Sequence, residues 1–296
     1  MFAGTAAVNA EDYTWKFVTA GDATTYAIRS DGSLWSWGWN EKGQGGNGVS
    51  ERTATPTLAD GNRVWKKAVG GKAYGFFLAE DGSLWAAGTH EGGVQGTNDG
   101  IDHKVLTRIG TDNDWADMAC SRFWGYSGFA IKTNGTLWAW GKNSAGQLGI
   151  GNTQAQTAPV QVGADMDWKQ VAAGCSSVLA LKTDGSLWGW GFNMYSELFG
   201  HEGKQLSPVR LGSETDWEQV VVIDFRAYAV KKDGTLWAWG DNANNLLGFN
   251  TPTEEETTAE GNPVEVVTVP QITAPTHVTS IEGKVLTISG LSLIHI

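Results

Sequence analysis

The string Asp31-Gly-Ser-Leu-Trp35 returns as Asp81-Gly-Ser-Leu-Trp85 and Asp184-Gly-Ser-Leu-Trp188, with Asn134-Gly-Thr-Leu-Trp138 and Asp233-Gly-Thr-Leu-Trp237 as variants. Its first residue recurs at intervals of 50, 53, 50 and 49. A second tryptophan keeps the same beat at Trp15, Trp65, Trp115, Trp168 and Trp217, 16 residues before the Asp in four copies and 19 before Asn134. A fixed period of this length marks repeat architectures, in which each unit buries its apolar face against the next. Five copies span about Glu11 to Asn250.

Inside one copy the period is that of strands. In the fourth, Pro159-Val-Gln-Val162 and Trp168-Lys-Gln-Val-Ala172 are short apolar runs, and Val178-Leu-Ala-Leu-Lys182 and Ser186-Leu-Trp-Gly-Trp190 flank Asp184-Gly185. Asp-Gly between two apolar runs predicts a hairpin, because both residues tolerate the positive φ that suits the strand twist. No segment has a capped 3.6-residue period, so helix is expected to be nearly absent. In Leu34-Trp35-Ser36-Trp37-Gly38 both indoles project from one face. The small residue between them recurs as Ser36, Ala86, Ala139, Gly189 and Ala238, which lets the bulky face of one sheet approach its neighbour. The expectation is an all-β fold: a β-propeller of four-stranded antiparallel blades, about five full repeats plus a degenerate sixth.

Composition agrees. Glycine numbers 40 of 296 residues and tryptophan 16, a turn-rich chain with many half-polar packing groups. The net charge of −11 has no basic cluster to offset it, which argues against a nucleic-acid partner. No apolar run approaches the ~20 residues of a membrane helix, so no membrane insertion is expected. Two cysteines, Cys120 and Cys175, fit neither a disulfide framework nor a zinc pattern, and inert thiols are the simplest reading. Val8-Asn9-Ala10 suits a signal-peptidase site, but residues 1–10 lack a basic n-region. Secreted, cell-surface and cytoplasmic locations therefore stay open.

The pattern Trp-x-x-Val-x-x-Gly, then Asp-Gly-Ser/Thr-Leu-Trp-x-Trp-Gly-x-Asn, is complete in the third copy at Trp138-Ala-Trp-Gly-Lys-Asn143 and is followed there by Gly146-Gln-Leu-Gly-Ile-Gly151. It resembles the regulator of chromosome condensation repeat, in its bacterial branch. The resemblance implies a propeller, normally of seven blades. Copy two departs from it at Leu84-Trp85-Ala-Ala-Gly88 and copy five at Asn244-Asn-Leu-Leu-Gly248. The chain is thus expected to divide into an N-terminal end (1–10), five repeats (11–250), an acidic loop (251–262), a degenerate sixth repeat (263–290) and a tail (291–296). In the sixth, Pro263-Val-Glu-Val266 is matched to Pro208-Val-Arg-Leu211, and Gly283–Gly290 to Gly234–Gly240. The tail Leu-Ser-Leu-Ile-His-Ile resembles sequencing-adapter read-through, so a fragment with open edges and self-association is expected.

Catalytic and metal chemistry is not signalled. The five histidines have no partners at ligand spacing, and no cofactor is implied. Asp112/Asp114, Asp165/Asp167 and Glu214/Asp216 fall short of a calcium loop and read as caps on tight turns. The resemblance suggests guanine-nucleotide exchange on a small GTPase, but the insertion wedge that carries it has no counterpart in these regular units. Exchange therefore ranks below two other readings: a non-enzymatic protein-interaction scaffold, and an accessory propeller of a larger enzyme or surface protein. The copies differ most in one turn, which reads Asp22-Ala-Thr24, Lys72-Ala-Tyr74, Ser121-Arg-Phe-Trp-Gly-Tyr126, Cys175-Ser-Ser177 and Asp224-Phe-Arg226. Arg, Trp and Tyr dominate binding hot spots. Arg122, Phe123, Trp124 and Tyr126, flanked by Lys72, Tyr74, Phe225 and Arg226, are the candidate contacts for a protein partner. The competing expectation is that these aromatics plug the central channel.

Overall fold

The computed structural model describes residues 13–249, 255–257, 263–265 and 271–278. Five four-stranded antiparallel sheets follow one another along the chain. Blade 1 is β1 (Trp15–Ala20), β2 (Thr24–Arg29), β3 (Leu34–Gly38) and β4 (Thr53–Asp60). Blade 2 is β5 (Trp65–Gly70), β6 (Tyr74–Ala79), β7 (Leu84–Gly88) and β8 (His103–Arg108). Blade 3 is β9 (Trp115–Cys120), β10 (Ser127–Lys132), β11 (Leu137–Gly141) and β12 (Gln156–Gln161). Blade 4 is β13 (Trp168–Ala173), β14 (Ser177–Lys182), β15 (Leu187–Phe192) and β16 (Lys204–Arg210). Blade 5 is β17 (Trp217–Ile223), β18 (Arg226–Lys231), β19 (Leu236–Asp241) and β22 (Gln271–His277), after a separate two-stranded ladder of β20 (Glu255–Thr257) and β21 (Pro263–Glu265). First strands of successive blades pack on one another, so they line the axis of a β-propeller. Helix among the described residues is limited to two single 3-10 turns.

The Asp-Gly-Ser/Thr-Leu-Trp string builds both the hairpin and the joint to the next blade. Asp31 Oδ1 accepts from the Ser33 amide at 2.9 Å and its hydroxyl at 2.6 Å, and Ser33 Oγ accepts from the Trp35 indole at 2.8 Å. The same relay recurs at Asn134/Thr136/Trp138 and in the other copies. Only the glycine takes a positive φ, +86° at Gly32. The turn is therefore a type I turn closed by a left-handed glycine, Gly32 N–H donating to Arg29 O, and not the mirror-image turn that needs positive φ at both residues. The Gly32 carbonyl then accepts from the Trp65 amide of blade 2, as Gly82 does from Trp115 and Gly135 from Trp168.

The outermost strand corrects the sequence reading. Pro159-Val-Gln-Val162 lies in the fourth strand of blade 3 and at its end, not in the first of blade 4, because β12 pairs with β11. Prolines tolerate this edge, where one side of the strand makes no ladder. In blade 5 the position of Pro208 is taken by Pro275, since Trp237 faces His277 as Trp188 faces Arg210. Pro263 lies instead in the two-stranded ladder with Glu255–Thr257. Part of the expected sixth repeat thus completes the fifth sheet. Residues 1–10, 279–290 and 291–296 lie outside the described residues.

The paired carboxylates are not turn caps alone; each pair holds a lysine from the second strand. Lys132 Nζ lies 2.6 Å from Asp112 and 3.1 Å from Asp114, Lys182 2.7 and 3.1 Å from Asp165 and Asp167, and Lys231 3.0 and 3.3 Å from Glu214 and Asp216. Each ammonium also sits against the first-strand and third-strand indoles, Trp168 and Trp188 in the case of Lys182. Burial pulls these lysines down, but the carboxylate hydrogen bonds outweigh it and raise all three pKa values.

Two outcomes follow. Trp140 and Trp190 are fully buried, so either to Ala is expected to cost about 3–5 kcal/mol in urea unfolding. A group with a raised folded pKa stabilises fully below its unfolded value of about 10.4 and stops doing so as pH climbs through the folded value. Between pH 10 and 12 the urea midpoint should fall more steeply for the parent than for a variant carrying Lys132→Arg, Lys182→Arg and Lys231→Arg.

Candidate functional site

Because each sheet is a meander, the turns joining its first and second strands emerge on the same face as the loops joining the third and fourth. The Asp-Gly hairpins occupy the opposite face. The short turns close tightly, with Gly21 N–H donating to Thr24 O and Gly174 N–H to Ser177 O. Adjacent turns are stitched as well, Asp22 N–H to Gly71 O and Cys175 N–H to Asp224 O. In blade 3 three extra residues lengthen the turn. Ser121 N–H still reaches Ser127 O, but the chain between them bends through positive φ at Phe123 (+48°) and Tyr126 (+47°).

That bend separates the eight candidate residues. Tyr74 and Tyr126 are core, 0% and 4% exposed, with rings 5.8 Å apart and the Tyr74 hydroxyl donating to Ser121 O at 2.6 Å. They are not surface contacts. Arg122 crosses the axis from blade 3 to blade 1, its Nη2 donating to Ala20 O at 3.2 Å. Its charge acts on Asp22 and Asp224, whose carboxyls burial pushes up while the guanidinium pulls them down. Arg122 thus links blade 3 to blade 1 beside these two carboxyls. Arg226 is tied to Asp241 at 2.8 Å and to Asp224 at 3.8 Å.

Phe123 and Trp124 remain outside, 43% and 64% exposed. Lys72 Nζ stands over the Trp124 ring at 3.3 Å from its centroid. Phe225 packs on Tyr195 at 5.0 Å. Between these aromatics runs a groove of about 670 Å³, lined by Phe123, Trp124, Met194, Tyr195 and Phe225 together with Cys175, Asp224 and Arg226. Met194, Tyr195 and Lys142 come from the loops after the third strands, which the sequence reading did not weigh. The signal was present, since Asn193-Met-Tyr-Ser stands where blade 3 has Asn143-Ser-Ala-Gly. Burial pushes the thiols of Cys120 and Cys175 up to about 12, so both are un-ionised at neutral pH. Among the described residues no three His, Cys, Asp or Glu side chains converge as metal ligands.

This division has a measurable consequence. Removing Arg122 takes away the hydrogen bond to Ala20 O and one of the cations near Asp22 and Asp224, so Arg122→Ala should lower unfolding free energy by about 1–3 kcal/mol. Trp124→Ala should stay within about 0.5 kcal/mol of the parent, as befits an exposed side chain. Equilibrium unfolding of the two variants checks both.

The family model of the Regulator of chromosome condensation (RCC1) repeat matches residues 31–78 and 134–181, and a second model of the same repeat matches residues 15–44. The chain is 30% identical over 163 residues to the ultraviolet-B receptor UVR8 of Arabidopsis thaliana, covering 54% of this chain and 37% of that protein. It is 28% identical over 141 residues to human Protein RCC2, 47% of this chain and 17% of that one. It therefore spans well under half the length of these curated relatives. Among solved structures, Prp20p of Saccharomyces cerevisiae, studied for its binding to Gsp1p and histones, superposes with a TM-score of 0.74 at 19% identity, over 91% of this chain and 64% of that one. Human WBSCR16 gives 0.71 at 18% identity, over 86% and 67%.

Proposed function

Since the chain is built from regulator of chromosome condensation repeats, we propose that it is a non-enzymatic scaffold that binds a protein partner through the turn face of the propeller. The observation that carries this reading is the exposed pair Phe123–Trp124 beside the Tyr195–Phe225 stack on either side of one groove. Large aromatics held at low entropic cost on a rigid frame are the chemistry of interface anchors. Prp20p, with the same fold, has protein partners, which supports the class of ligand and not its identity. Exchange on a GTPase and service as an accessory propeller have no comparable observation in their favour.

The contact centre is therefore narrower than the sequence suggested: Phe123, Trp124 and Phe225, with Lys72 and Arg226 at the rim and Tyr195 added. The test is to isolate a partner on the immobilised chain and titrate it by calorimetry against variants. Trp124→Ala and Phe225→Ala should each weaken binding about thirtyfold, roughly 2 kcal/mol, without loss of folding. Lys232→Ala, on the hairpin face, should bind as the parent does. Equal affinity of parent and Trp124→Ala would place the interface elsewhere.

A further inference from the structure

The first residue of the turn between first and second strands is Asp22, Lys72, Arg122, Cys175 and Asp224 in blades 1 to 5. Asp22 lies close enough to the other four for each to share its field, so side chains of all five blades meet around it. It does not line the groove.

The turns of blades 1 and 2 and of blades 4 and 5 are joined by an amide of this first residue, Asp22 N–H to Gly71 O and Cys175 N–H to Asp224 O. The insertion in blade 3 replaces that stitch with others. Ser121 O accepts from the Tyr74 hydroxyl at 2.6 Å, and Gly125 comes so close to blade 4 that a Cβ would stand 2.9 Å from Cys175 O. Arg122 donates across to Ala20 O at 3.2 Å. The long turn is thus held from blades 1, 2 and 4 as well as by its own Gly125 N–H to Arg122 O bond.

Within it, Phe123 has φ +48°, a conformation that a bulky side chain keeps only where its surroundings over-determine it. The Phe123 amide donates to the carboxyl of Asp22. Asp22 is therefore bonded at both ends, by its own amide to blade 2 and by its carboxyl to blade 3. Asp224, its counterpart in blade 5, leans on Arg226 at 3.8 Å, and its Oδ1 has no hydrogen-bond partner among the described residues. Trp124 follows directly, its carbonyl reached by Lys142 Nζ at 3.4 Å and its ring by Lys72.

From this we infer that Asp22 is a positioning residue for the Phe123–Trp124 pair: a carboxylate of blade 1 sets the turn of blade 3 in the form that presents both aromatics. The consequence for binding rests on the turn face being the interface; the positioning itself does not.

The charges facing Asp22 give the role a pH signature. Burial pushes its carboxyl up, against the pull of the Phe123 amide, Arg122 and Lys72. The hydroxyls of Tyr74 and Tyr126 and the thiols of Cys120 and Cys175 also lie within its field, and burial pushes all four up, so they keep their protons below neutral pH. Asp224 is the facing carboxyl that is raised alongside it. A carboxyl with a raised folded pKa adds stability to the whole fold as pH falls through that value. Protonation of Asp22 at the same time weakens the bond to Phe123, so the turn loosens without global unfolding.

Hydrogen–deuterium exchange of the full chain, read by mass spectrometry, tests this. At about pH 7, Asp22→Ala should speed exchange of the segment that contains Phe123 by about tenfold or more, as loss of a charged hydrogen bond implies. The Cys175–Ser177 turn and the Asp-Gly hairpins should exchange as in the parent. As pH is lowered from about 7 toward the ordinary Asp value of about 3.9, protection of that segment, corrected for the chemical exchange rate, should fall in the parent and in Asp224→Asn but stay level in Asp22→Asn. Equal protection in the parent and Asp22→Ala, or a pH dependence that survives in Asp22→Asn, overturns the assignment. If Asp22→Ala does not fold, the pH series on Asp22→Asn decides alone. A turn loosened by Asp22→Ala, together with unchanged partner affinity in Trp124→Ala, supports Asp22 as the positioning residue and removes only the proposed interface.

Discussion

The structure depends on one contact, an indole N–H donated across an interblade joint to a loop carbonyl of the preceding sheet, from Trp140 to Val94 O, Trp190 to Gln147 O and Trp239 to Glu197 O. A buried Trp body removes a large apolar area from water, while its single polar atom would be costly if left unpaired. Satisfying both demands at one spot fixes the distance and angle between sheets. The second fastening, from the first-strand Trp amide to the turn glycine of the previous blade, lies at the opposite face. With both ends pinned, each sheet has one way to sit on the last, and a period near fifty residues follows from repeating that geometry.

Rigidity at the joints frees the turns. Phe123, Trp124 and Phe225 take no part in the indole joints; on the turn face Trp124 meets Lys72 of blade 2 and Phe225 meets Tyr195 of blade 4. Arg122 is the exception on that face. It joins blades that are not neighbours, and its planar guanidinium reaches the Ala20 carbonyl while remaining near the carboxyls of Asp22 and Asp224. Arg122 is taken up by this cross-blade network, while its neighbours Phe123 and Trp124 stay exposed.

What was legible in the sequence was local or periodic. Asp31-Gly-Ser-Leu-Trp35 closes its own hairpin within five residues, so its meaning needs no tertiary context. The lysine sites were harder, because Lys182 and its carboxylates are 15 and 17 residues apart and meet only when the first two strands pair. Tyr126 is hidden from sequence reasoning because it lies in a three-residue insertion whose positive φ values no strand period describes, and there it packs on Tyr74 in the core. Pro263 and Pro275 each begin or punctuate an apolar run, and composition could not tell them apart; the ladder to β19 does.

The joint between blades 1 and 2 shows why repeats that look degenerate need not be weak. Read alone, Leu84-Trp85-Ala-Ala-Gly88 is a damaged copy of the motif. Read with Tyr26, whose hydroxyl donates to Gln44 O where an indole would, and with Leu106, which covers Gly46, it is one side of an exchange that keeps the same carbonyl bonded and the same slot filled. Identical joints would let any blade follow any other, whereas unlike joints restrict the order and oppose misregistered closure. Departures from a repeat consensus are therefore best read in pairs across an interface, because the physical unit being maintained is the joint and not the blade.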